Sequence, residues 1–156
     1  MGDVRFMRRA LALACESVAS GGGPFGAVVV RDGEVVVAEG VNRVTVWKDP
    51  TAHAEVVAVR GACSALGRFD LRGCEVYSSC EPCPMCLGAL HWARVGRIFF
   101  CATRFDAARA GFDDAALYDE FSVTLAERAM PIGQMLAEEA GGPFEVWGRF
   151  GTRTGY

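Results

Sequence analysis

Two histidines occur in the chain, and one of them, His53, is followed two residues later by Glu55. A second cluster runs Cys80-Glu81-Pro82-Cys83-Pro84-Met85-Cys86. Cys83 and Cys86 are three apart, a spacing that on a helix brings both sulfurs to one face. Pro84 suits a first helical position, and a helix N-terminus lowers thiol pKa and so favours the thiolates a metal requires. One imidazole and two thiolates are three tetrahedral zinc ligands, and three protein ligands leave a fourth position open, as catalytic sites do. Zinc(II) with two thiolates and a neutral imidazole has no net charge, so it acidifies water less than an all-histidine site. A neighbouring base then has to share the proton, and Glu55 in the first helical turn is placed to do so. The competing reading makes Cys80 a fourth ligand and closes the site. Cys80 falls at the end of an expected strand, where a small buried residue is ordinary. Cys15, Cys63, Cys74 and Cys101 read as core fillers.

These residues need elements to hold them. Phe6, Ala10, Leu13, Ala14 and Val18 repeat at helical spacing, which predicts a core-packed N-terminal helix rather than a secretion signal, since the apolar stretch stops at Glu16. Phe25 to Arg31 and Val35 to Ala38 flank Asp32-Gly33 and predict a hairpin. Thr51 stands where a helix N-cap is expected, ahead of a helix over 53–66 closed by Gly67. Residues 75–79 predict a third strand, 84–93 a helix and 97–102 a fourth, buried strand. Past Gly111, short and longer helices near 115–120 and 126–139 are expected, with a fifth strand and a last helix from Pro143. The order predicts one α/β domain over 1–156, a three-layer α-β-α sandwich around a mixed five-stranded sheet.

The chain has 156 residues, 51% of them hydrophobic and 22% charged, which excludes general disorder. Nineteen acidic against sixteen basic residues leave a net charge of -3, and only Lys48 among the cations is not arginine. No basic tract emerges, so nucleic acid is not an expected partner. No apolar run approaches the roughly 18 residues a membrane span needs. Seven cysteines, an odd number, favour reduced thiols in the cytoplasm.

The His-x-Glu … Pro-Cys-x-x-Cys pattern is the signature of zinc deaminases. The stretches GGPFGAVVV (22–30), DPTAHAEV (49–56), SSCEPCPMCLGA (78–89), WAR (92–94) and AGFDD (110–114) further resemble bacterial guanine deaminases of the cytidine-deaminase-like superfamily. That resemblance implies a cytidine-deaminase-like fold and hydrolytic deamination of guanine. It implies zinc on His53, Cys83 and Cys86, and Glu55 as proton shuttle. Asn42 and Asp114 would contact the base, Asp114 also as a second proton carrier. Phe25, Ala54 and Trp92 would line the pocket. It implies a homodimer in which a tail over 141–156, ending at Tyr156, caps the partner's site. His91 departs from the aromatic residue expected beside Trp92. The alternatives are a deaminase of another base or nucleoside (cytosine, cytidine, guanosine), a tRNA adenosine deaminase, and a zinc-stabilised binding module without turnover. Taken without the resemblance, Asp113 and Asp114 suit a helix N-cap, and Phe144, Trp147 and Phe150 suit ordinary packing.

Overall fold

A computed structural model describes residues 2–155. The chain divides into two compact units, Met1–Asp114 and Ala115–Tyr156. In the first, helix α1 (Val4–Ala19) opens at Asp3, whose carboxylate accepts from the Arg5 N–H at 2.8 Å. Phe6, Ala10, Leu13 and Ala14 are buried as the periodicity predicts. Val18 is a correction: it is exposed, and Ser17 is buried in its place. Strands β1 (Gly26–Arg31) and β2 (Val35–Val41) form the hairpin, and both Asp32 and Gly33 take positive φ in its turn. A short helix, α2 (Val44–Trp47), leads into α3 (Ala54–Leu66). Strand β3 (Cys74–Cys80), helix α4 (Pro84–Trp92) and strand β4 (Arg97–Ala102) follow, and α5 (Arg104–Arg109) ends the regular part.

The sheet has the order β2-β1-β3-β4, with β1 antiparallel to both neighbours and β3 parallel to β4. It is mixed, as predicted, but has four strands rather than five among the described residues. Helix α1 packs on one face through Phe6, Ala10 and Leu13 against Val28, Val30 and Tyr77. Helices α3 and α4 cover the other face, where Ala54, Ala58, Ala62 and Leu90 meet Ala27, Val29 and Val76. Gly40 sets how close α3 can come. A Cβ there would lie 2.2 Å from the Ala54 carbonyl oxygen and 2.6 Å from the Ala58 nitrogen. The turn carrying His53 and Glu55 is thereby seated on the sheet.

Four local expectations differ from the fold. Strand β4 forms over the expected residues but is exposed to half-buried along its length rather than buried. Thr51 does not cap α3, because its N–H and hydroxyl both bond Asp49 Oδ1 and His53 takes the N-cap position. Cys15 and Cys101 are exposed rather than core fillers. In the second unit, α6 (Ala115–Ser122) and α7 (Gly142–Arg149) form, but the helix expected over 126–139 does not. Only one-turn 3₁₀ segments occur there, Leu125–Glu127 and Ala137–Glu139. Pro131 lacks the N–H a helix needs and disfavours helical φ/ψ at Met130, and Gly133 weakens the stretch further. No described residue of the second unit is buried. No described helix is long and apolar enough to cross a membrane.

Candidate metal and active centre

Two helix N-termini converge on one point. His53 is the N-cap of α3 and Cys83 the N-cap of α4, neither side chain capping its own helix, with Pro84 at the first turn of α4. Both side chains turn instead to each other. His53 Nδ1 lies 3.6 Å from Cys83 Sγ and 3.5 Å from Cys86 Sγ, and the three ligand atoms lie within 4.8 Å of one another. Zinc bonds of about 2.0–2.1 Å to nitrogen and about 2.3 Å to sulfur, at a tetrahedral angle, separate N from S by about 3.6 Å. The site fits zinc without rearrangement. Cys80 stands apart from this group, its thiol donating to the Thr103 carbonyl at 3.6 Å, and burial pushes its pKa up to about 11. The closed four-ligand site is not what the fold assembles.

Glu55 is buried beside the ligands. Its Oε1 accepts from Ser78 Oγ at 3.0 Å and its Oε2 from the Cys86 thiol at 3.4 Å. Burial raises its pKa, against the pull of its own backbone N–H, Ser78 and Cys86. Cys83 is drawn down to about 4, first by the Cys86 hydrogen bond and then, against burial, by His53. The same contact with Cys83, reinforced by burial, pushes Cys86 up, and Cys83 likewise raises His53. A metal binds these ligands as thiolates and neutral imidazole, so its binding releases whatever protons they carry.

A cavity of about 380 Å³ opens over these residues. His53, Glu55 and Cys83 form its floor, and Phe25, Asn42 and Asp114 also line it. Asn42 is anchored on every side: its N–H donates to the Phe25 carbonyl, and its carbonyl accepts from buried Ser17 Oγ at 3.1 Å. Gly22 leaves room for this, since a Cβ there would fall 2.2 Å from the Asn42 oxygen. Asn42 Oδ1 accepts from the N–H groups of Gly23 and Val44, both at 3.3 Å. Its side-chain oxygen is spent on the backbone, which leaves the NH₂ as the group free to donate. Asp114 has its pKa raised, chiefly by burial and then by the charge of Cys83.

Two residues stand elsewhere. Ala54 is wholly buried in the α3 core, and Trp92 is 69% exposed beside a separate depression with Gly88, His91 and Arg94. Tyr156 lies outside the described residues. The structure adds Phe112, edge-on to Phe25 at 5.1 Å, and Arg104, whose N–H donates to Glu81 at 3.0 Å. Phe112 sat within the AGFDD stretch, whereas nothing in the sequence marked Arg104.

The model of the cytidine and deoxycytidylate deaminase zinc-binding region matches residues 2–102. A guanine deaminase of Bacillus subtilis is 50% identical over 157 residues, covering 100% of each chain. A tRNA-specific adenosine deaminase of Haemophilus influenzae is 36% identical over 86% of this chain and 81% of its own. The X-ray structure of the Bacillus subtilis guanine deaminase superposes with a TM-score of 0.95, covering 100% of this chain and 99% of that one at 50% identity. A guanine deaminase structure from Nitrosomonas europaea gives 0.67 at 34% identity, over 72% and 66% of the two chains.

Proposed function

The chain belongs to the family of the cytidine and deoxycytidylate deaminase zinc-binding region, and from that premise we propose that it hydrolyses guanine to xanthine and ammonia. The observation that carries the reading is a zinc-sized His53–Cys83–Cys86 group with the Glu55 carboxylate against it on the floor of one cavity. The full-length likeness to a guanine deaminase supports that base. Zinc on the three ligands supplies Lewis-acid activation of water. Glu55 takes a proton from the attacking water at Oε2 and delivers it to the base at N3 as C2 becomes tetrahedral. Asp114, a carboxylate accepting from the N1–H and exocyclic amine of guanine, is the second carrier. It takes the proton of the C2 hydroxyl and gives it to the amine, so that the hydroxyl becomes the xanthine carbonyl as the C2–N bond breaks and ammonia leaves. Asn42 donates from its NH₂ to an acceptor on the base, and Phe25 lines the pocket.

Adenine presents an unprotonated N1 to the Asp114 oxygens, and leaving such groups unpaired costs as much as about 10⁴–10⁵ in discrimination. Ammonia release from guanine, adenine, cytosine, cytidine and guanosine tests the assignment. Guanine is expected to have the highest kcat/KM. A higher value for cytosine, cytidine or guanosine overturns it.

We propose a homodimer in which residues 141–156 of one protomer close the pocket of its partner. Phe144, Trp147 and Phe150 are 76%, 45% and 58% exposed, an apolar surface that a partner chain would cover. Gly141, the residue ahead of α7, offers a hinge point. Deleting Arg153 to Tyr156 is expected to spare zinc and fold and to lower guanine turnover. Near wild-type efficiency in that variant contradicts the cap.

A further inference from the structure

We propose that Ser78 is a positioning residue for Glu55, its hydroxyl fixing one carboxylate oxygen so that the other alone carries protons. This inference rests on Glu55 being the proton carrier. Ser78 sits in β3, opposite Ala27 of β1 on one side and Phe100 of β4 on the other, so two neighbouring strands fix its position. It is 1% exposed. A hydroxyl buried this deeply costs free energy unless it finds a partner, and its partner is Glu55 Oε1 at 3.0 Å. The other oxygen, Oε2, faces the Cys86 thiol at 3.4 Å. One oxygen is tied to the sheet and the other lies on the ligand side.

That division suits the chemistry. The terminal torsion of a carboxylate is soft and roughly two-fold, so an untethered Glu55 can swing either oxygen away from the transfer path. A base that collects a proton at one atom and delivers it to another gains from a single aimed oxygen, because small misplacements of reacting groups are costly. The neighbouring serine shows the contrast. Ser79 Oγ accepts from the Gly26 N–H at 3.0 Å, an ordinary backbone tie, whereas Ser78 spends its hydroxyl on a carboxylate.

The experiment measures zinc content, kcat and KM on guanine for Ser78→Ala, Ser78→Thr, Glu55→Gln and the double variant Ser78→Ala/Glu55→Gln. A hydrogen bond to a charged group sets the scale, so Ser78→Ala should lose about tenfold to a hundredfold in kcat, with zinc and KM unchanged. Ser78→Thr, which keeps the hydroxyl, should recover most of that loss. In single-turnover assays, Ser78→Ala should change nothing further in the Glu55→Gln background. Wild-type kcat in Ser78→Ala, no recovery in Ser78→Thr, zinc lost from Ser78→Ala, or an additive loss in the double variant each overturns the inference. Glu55→Gln separates the two failures. If it is nearly inactive while Ser78→Ala is unimpaired, only the role of Ser78 fails; if it is nearly as active as wild type, the role of Glu55 fails and that of Ser78 with it.

Discussion

On the α1 face of the sheet, Phe6, Leu13, Val28, Val30 and Tyr77 pack apolar surface, with the Tyr77 ring 5.4 Å from Phe6 and stacked 4.8 Å from Phe99. The Tyr77 hydroxyl is only partly buried, where it accepts from the Asp3 N–H and donates to Glu75, each at 3.0 Å. On the opposite face the same strands meet the alanines of α3, and among them lie buried Glu55, Ser78 and Cys86. The buried rings of Phe6 and Tyr77 lie on one face, whereas the helix surface on the other is built of alanines. The difference teaches how the fold makes room for chemistry: Gly40, Ala54 and Ala58 let a helix N-terminus approach the sheet, and the polar groups it brings satisfy one another. The α1 face should therefore govern stability, and the α3/α4 face turnover.

The largest expected effect comes from removing a ligand. Cys86→Ser should lose stoichiometric zinc and reduce guanine turnover to background, and its Tm should fall because the metal binds the folded state alone. Metal analysis with a thermal scan checks this; one zinc per chain in the folded variant removes Cys86 from the ligand set. Phe6→Ala sharpens the comparison from the other side. Loss of the buried ring should cost about 3–5 kcal/mol in denaturant unfolding, with kcat/KM of the folded enzyme unchanged. A drop in kcat/KM would mean that the two faces are coupled. The smallest effect is expected for Tyr77→Phe, which deletes two hydrogen bonds at the rim and should cost about 1 kcal/mol while sparing activity.

The chemistry was legible where it is local. His53 and Glu55 open one helix and Cys83 and Cys86 open another; the i,i+3 spacing predicts that the two sulfurs share a face, and the helix signals at Pro84 and Gly67 bounded the elements. What escaped was long-range. Nothing in the run Ser78-Ser79 says which hydroxyl meets a carboxylate 23 residues away, and the Asn42 amide gains its direction only when Gly23 and Val44 fold around it. Thr51 looked like a cap by residue type, but Asp49 competes for the same hydroxyl. The helix expected over 126–139 would have to run through Pro131, where the backbone lacks the N–H that a helix needs.

The claim that turnover resides on the α3/α4 face, and there in Glu55, is tested most directly by the rate of xanthine formation in Glu55→Gln with zinc counted in the same sample. The amide keeps the shape of the side chain but cannot take the proton. Loss of general acid–base catalysis costs about 10²–10⁴-fold, and two transfers through one group put the deficit at or above the top of that range. The account predicts one zinc per chain, an intact fold and a rate lowered by about 10⁴-fold or more. A zinc-loaded Glu55→Gln enzyme working within about tenfold of wild type would contradict it.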